Sequence, residues 1–207
     1  MKKTILTLLI IATSCTIVIA QDASRSKFGV KAGYNWSYIT GTQTGFNKNS
    51  KSGFMASAFY APTSKGRGYR SEIVFSRQGY TFDEGGKNTD VLNDYVYLPQ
   101  LATFGIGKFL QLQLGGQVGF LLNSKLSSEG KDSTITNLMN RVDYGFAGGV
   151  EIYPYKGIIV GGRYNLGLGK LYKRYEQAAE NPYPLPFNPE TTDFKNGLFQ
   201  FFIGYKF

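Results

Sequence analysis

Hydrophobic residues in this chain recur at every second position, and no other feature constrains the fold as much. A two-residue period puts one set of side chains on each face of a β-strand. From Phe28 the even positions run Phe28, Val30, Ala32, Tyr34, Trp36 and Tyr38, whereas the odd ones carry Gly29, Lys31, Gly33, Asn35 and Ser37. Leu110, Leu112, Leu114, Val118 and Phe120 alternate with Gln111, Gln113, Gly115, Gln117 and Gly119. Val142, Tyr144, Phe146, Val150 and Ile152 alternate with Arg141, Asp143, Gly145, Gly149 and Glu151. Residues 158–168 repeat the split with Arg163 and Asn165 on the polar face, and residues 196–207 with Phe199, Phe201, Ile203, Tyr205 and Phe207 on the apolar one. Weaker alternation covers residues 51–60, 69–80 and 92–104.

The result is eight strands of about ten to twelve residues, the length a tilted strand needs to cross a hydrocarbon core of about 30 Å. The connections alternate in length: 61–68, 105–108 and 153–156 are short, and 40–50, 81–91, 121–140 and 169–195 are long. The sequence therefore predicts an all-β fold, an eight-stranded antiparallel up-and-down transmembrane β-barrel with short periplasmic turns, long extracellular loops and both termini in the periplasm. Closure follows from the solvent, since lipid cannot satisfy a free backbone edge. Tyr60, Tyr69, Phe104, Phe109, Tyr153, Tyr155 and Phe207 fall near strand ends, as interfacial girdles require; the general enrichment of aromatics in strands accounts for part of this. Pro99 interrupts the fourth strand and predicts a bulge or local break, because proline has no N–H to give the ladder. Gln100 shares the outward phase of Val96 and Leu98.

Composition narrows the function. The chain has no histidine, which removes Ser-His-Asp and Cys-His nucleophiles and His-ligated zinc. Its 26 glycines and 31 Phe and Tyr residues among 207 favour strands and turns over helices. Residues 1–20 read as a cleaved signal peptide: Lys2 and Lys3, an apolar stretch from Ile5 to Ile19, then Val18-Ile19-Ala20 before Gln21. The competing lipoprotein reading cleaves before Cys15, but Ala12 stands where leucine is expected. Residues 21–207 then form a single barrel domain with 21 basic and 14 acidic residues, a net charge of +7, and no cysteine for a disulfide. The basic residues are scattered, which suits a solvated surface or anionic headgroups and not nucleic acid. After the leader no apolar run reaches the roughly 18 residues of a membrane-spanning helix.

If the apolar faces look at lipid, the interior receives Lys31, Arg70, Glu72, Asp143, Glu151, Arg163 and Lys206, with Gln111, Gln113, Gln117 and Asn165. The first six form a candidate interior charge network. A turn at residues 154–157 sets Arg163 opposite Gly149 and diagonal to Glu151, with Glu72 reaching the same layer across the lumen. The interior of an eight-stranded barrel is just wide enough for side chains to fill it. These charges are then either a paired polar plug that fixes strand register or a gate on a narrow ion path. An acid–base carboxylate pair is a third reading, but a closed plug gives a substrate no access. The longest loop carries Pro182, Pro184, Pro186 and Pro189 interleaved with Tyr183, Leu185 and Phe187. Such a stretch is stiff and extended, and its aromatics form either a partner surface or a lid over the barrel mouth.

Several segments resemble the PorT-like outer-membrane β-barrel proteins of Bacteroidetes. They are Lys27 to Asn35, Ser71 to Gly79, Asn93 to Pro99, Gly162 to Leu168 and the ending Ile203-Gly204-Tyr205-Lys206-Phe207. The resemblance implies a barrel and no reaction, and Phe207 is similar to the aromatic C-terminus that barrel-assembly machinery reads. No catalytic, cofactor-binding or metal-ligating set is expected. The expected partners are outer-membrane lipids, the assembly machinery and a protein bound through the extracellular loops, with no nucleic acid. The expected role is structural or interaction-based at the cell surface. The alternatives are a narrow passive ion or solute channel and a secreted, soluble lipocalin-like barrel with its polarity reversed.

Overall fold

The structure is a computed structural model that describes residues 26–41, 47–62, 67–84, 87–128, 131–155, 157–173 and 193–207. The leader at 1–20 and the proline-rich stretch with Tyr183, Leu185 and Phe187 lie outside the described residues.

Among the described residues nine strands follow in chain order: β1 (Ser26–Thr40), β2 (Asn47–Pro62), β3 (Arg67–Glu84), β4 (Lys87–Ile106), β5 (Leu110–Ser128), β6 (Lys131–Thr134), β7 (Val142–Ile152), β8 (Ile158–Gly167) and β9 (Lys195–Lys206). All pairings are antiparallel. The sheet runs β4-β3-β2-β1-β9-β8-β7-β5, and the additional β4–β5 pairing closes it into a ring of eight strands. β6 stands outside the ring and pairs with the end of β5. A 3₁₀ turn at Thr136–Leu138 follows it.

Side chains sort by the alternation. Phe28, Val30, Tyr34 and Trp36 of β1, Leu112, Leu114 and Val118 of β5, Tyr144 and Phe146 of β7 and Phe199, Phe201 and Ile203 of β9 point outward and are exposed. Lys31, Asn35, Glu72, Gln113, Glu151 and Arg163 point inward and are buried. Gln100 is exposed on the outer face, where its Nε2 donates to Ser71 Oγ at 2.9 Å.

The strands are longer than expected at the loop rim. Within 81–91, expected as a loop, residues 81–84 end β3 and residues 87–91 begin β4, and the two pair up to Glu84 and Lys87. The 121–140 connection likewise holds the end of β5 and all of β6. The polarity reverses there: Tyr80, Phe82, Val91 and Leu126 are buried inside, while Thr81 and Asp90 bond to each other at 2.5 Å toward the outside. A pattern sought as apolar-out passes over a stretch that is apolar-in.

Pro99 brings the local break and not the bulge: toward β3 the ladder lapses between Ser71↔Gln100 and Val74↔Tyr97 and resumes in the same register, while β4 pairs with β5 straight through Pro99↔Gln117. The bulge lies instead between Asp94 and Tyr95. Tyr153, expected in an outer girdle, turns its hydroxyl into the lumen and donates to Glu151 Oε2 at 2.7 Å.

Inward rings need room in a narrow barrel, and three of them take it from a glycine directly across the ladder. Tyr97 faces Gly119, Phe59 faces Gly29 and Phe202 faces Gly161. A Cβ on Gly119 would lie 2.3 Å from the Tyr97 ring. Gly119→Ala is therefore expected to cost about 1–3 kcal/mol of stability by overpacking. The urea midpoint of the heat-modifiable band measures it, and partial recovery in Gly119→Ala/Tyr97→Ala would tie the loss to this contact.

Candidate functional site

Five inward charges meet in one layer of the lumen toward the turn rim. Lys31 comes from β1, Arg70 and Glu72 from β3, Glu151 from β7 and Arg163 from β8. The β7–β8 register sets Arg163 against Gly149. Lys31 Nζ lies 2.6 Å from Glu72 Oε1 and 2.7 Å from Glu151 Oε1. Arg70 Nη1 donates to Glu151 Oε1 at 2.6 Å and stands 3.7 Å from Glu72 Oε1. Arg163 grips Glu72 with both terminal nitrogens, Nη1 to Oε2 at 2.9 Å and Nη2 to Oε1 at 2.8 Å. This fork-to-fork geometry is the strong, directional form of the ion pair.

Neutral groups complete the layer. Arg70 Nη2 donates to Gln111 Oε1 at 2.9 Å and to the Tyr153 hydroxyl at 2.8 Å. Arg163 Nη2 donates to Gln113 Oε1 at 3.2 Å. Two rings wall the cations: Lys31 Nζ sits 5.0 Å from the centre of Phe59 and 4.6 Å from that of Phe202, while the Arg70 guanidinium lies 4.4 Å from Phe59. Cations desolvated against ring faces gain from the ring quadrupole.

Asp143 is not part of this cluster. Its carboxylate lies nearer the loop rim and accepts from the Tyr97 hydroxyl at 3.2 Å, Asn196 Nδ2 at 3.1 Å and its neighbour's backbone N–H at Tyr144 at 2.8 Å. Eight residues of β7 separate Asp143 from Glu151, about 26 Å at roughly 3.3 Å per residue, so the sequence grouped two groups that strand length keeps apart. Between them runs a neutral relay: Asn165 Nδ2 donates to Gln200 Oε1 at 2.9 Å, Gln200 Nε2 to Asn35 Oδ1 at 3.1 Å, and Asn35 Nδ2 to Ser76 Oγ at 2.9 Å.

Above Asp143 the lumen ends in an apolar cap. Ile135, Leu138 and Met139 after β6, with Leu171, Tyr172 and Phe194 around β8 and β9, pack on the inner faces of Tyr80, Phe82, Val91, Tyr95 and Leu126. Backbone bonds lace the two cap segments together, Asn140 N–H to Leu171 C=O at 2.8 Å and Lys173 N–H to Leu138 C=O at 3.0 Å. The hydroxyls of Tyr80 and Tyr172 share a hydrogen bond. Burial pushes the Tyr172 phenol well above its ordinary value, so that proton stays in place. Sequence reasoning offered a lid only through Tyr183, Leu185 and Phe187, which lie outside the described residues; it singled out none of these cap residues, nor Phe59 and Phe202 as walls. A glycine across the ladder marks each wall ring, and it shows only once the register is known.

A ring with no free wall edge, an exposed apolar belt and a polar interior define a β-barrel membrane protein. The chain belongs to the outer membrane protein beta-barrel domain family, which matches residues 19–173. Its fold is similar to that of Ail, the attachment invasion locus protein of Yersinia pestis, with a TM-score of 0.50 and 18% identity over 88% of this chain and 99% of that one. It is likewise similar to Neisserial surface protein A, with a TM-score of 0.50 and 13% identity over 87% of this chain and 97% of that one. No curated protein matches the chain in sequence.

Removing one partner of a buried pair strands the other charge, at a typical cost of about 3–5 kcal/mol. Glu72→Ala and Arg163→Ala are each expected to lower the melting temperature of the heat-modifiable band. Glu72→Ala should be the worse, because it leaves Lys31, Arg70 and Arg163 with one carboxylate. Unchanged melting of both variants would show that the layer contributes no stability.

Proposed function

We propose that this protein is a plugged outer-membrane barrel of the PorT-like type found in Bacteroidetes, a structural or interaction protein of the cell surface that catalyses no reaction. The observation that carries the reading is the double closure of the lumen. Five charged side chains, each at most 1% exposed, meet across the lumen on the turn side, and the apolar cap packs inside the strands on the loop side. An ion crossing the lumen would have to break the Arg163–Glu72 and Arg70–Glu151 pairs and then pass Leu138, Met139 and Tyr172. A lipocalin-type barrel would need an apolar interior, whereas here Lys31, Arg70, Glu72 and Glu151 are buried inside and the apolar set is outside.

In this reading residues 1–20 are a cleaved signal peptide, residues 21–207 form the barrel, and both termini with the short turns face the periplasm. Phe207, which is exposed, serves as the end recognised by the barrel-assembly machinery. The partner surface lies on the extracellular loops, with Tyr183, Leu185 and Phe187 as its apolar anchors. A stiff proline-spaced segment loses little freedom on binding, which favours that role.

Heat-modifiable mobility of the purified outer-membrane protein, paired with planar-bilayer recording, tests the reading. A heat-dependent shift with no conductance supports a plugged barrel, and steady unitary currents contradict it. Deleting residues 181–189 tests the loop role: the barrel should keep its heat shift while binding at the cell surface falls, and unchanged surface binding would remove the loop from the account.

A further inference from the structure

We propose that the charged layer of the lumen binds one small inorganic anion of halide size, seated beside Arg163 and Gln113. The first observation is charge. Lys31, Arg70 and Arg163 face only Glu72 and Glu151 in this layer, so it carries one cation in excess among the described residues. All five side chains are at most 1% exposed. Asp143 cannot balance the excess, because it is held in a different layer by Tyr97 and Asn196.

The second observation is independent of the first. Among the buried polar atoms of this layer, Arg163 Nε, Arg70 Nε, Gln113 Nε2 and Ser57 Oγ, which stands across the ladder from Lys31, have no partner; the three nitrogens can only donate, and the hydroxyl can also donate. The nitrogens belong to one contiguous group: Arg163 bonds to Gln113 at 3.2 Å, and both guanidinium groups reach Glu72 Oε1. Spare N–H groups around an excess positive charge call for an acceptor that carries negative charge. Water would satisfy the hydrogen bonds and leave the charge uncompensated in a wall surrounded by lipid, where an unpaired buried ion is most costly. A halide answers both needs as a single small monovalent ion. The anion would be taken up as the barrel closes and would act as a sixth member of the network.

The proposal rests on the sealed-lumen reading, and the two can fail separately. The test uses the full-length barrel crystallised from detergent with bromide as the only halide. Anomalous scattering should show one bromide within hydrogen-bonding reach of Arg163 Nε and Gln113 Nε2. Lys31→Met removes the excess cation while keeping a long stem, so its folded, heat-modifiable form should lose that peak. An empty site or a water in the wild type overturns the proposal, as does an equal peak in Lys31→Met, which would mean an adventitious ion only. Should Lys31→Met fail to assemble, the wild-type melting temperature decides. It should rise on exchange of gluconate for bromide at constant ionic strength, and no change overturns the site. Conductance together with a bound bromide would sink the plug and keep the anion; silence with an empty site would do the reverse.

Discussion

A sheet surrounded by lipid can leave no backbone edge unpaired, and the rest of this structure depends on that constraint. Eight strands satisfy it only by closing, and closing eight strands leaves an interior that side chains fill. Polar residues on the inner face then have no bulk water to turn to. The lumen answers with an ion-pair layer in which Glu72 and Glu151 each serve more than one cation. Burying such groups is expensive, so the layer is better understood as fixing which strands oppose one another than as a source of net stability.

The same strands carry two opposite polarities. Within the belt the apolar face looks out and the charged face looks in; toward the loop rim, β3, β4 and β5 extend past the belt and bury Tyr80, Phe82, Val91 and Leu126 against the cap. Outward ion pairs mark the changeover, with Arg77 bonded to Asp94 at 2.7 and 3.0 Å and Lys51 reaching Asp90. The wall formed by these strands thus belongs to a membrane barrel at one end and to a water-soluble core at the other. In the proposed reading, each end of the lumen is closed by the chemistry it permits.

Alternation made the fold legible, because lipid outside and a crowded lumen inside enforce a strict period. The turn at residues 154–157 also sufficed to set Arg163 against Gly149, the observed pairing. What escaped the sequence was whatever broke the apolar-out rule. The β3–β4 extension read as a loop because its outward positions, Thr81 and Asp90 among them, are polar. Tyr153 read as a girdle residue because position along a strand does not say which face an aromatic takes at its end. Asp143 was grouped with the other charges because facing inward is visible in alternation, whereas height along the barrel axis depends on the stagger between strands. Phe59 and Phe202 were overlooked as walls of the charge layer, since only the register reveals that Gly29 and Gly161 make space for them.

The central claim is that alternate residues of one strand look at lipid and at a sealed interior. Single cysteines placed along β9 in a chain with Cys15 replaced by serine, labelled with a small spin probe in bilayers, test it most directly. Probes at 199, 201 and 203 should be relaxed by oxygen dissolved in the lipid. Probes at 200 and 202 should be shielded from both oxygen and a water-soluble nickel reagent. Strong relaxation of the 200 and 202 probes by the nickel reagent would mean a water-filled lumen and would contradict the account.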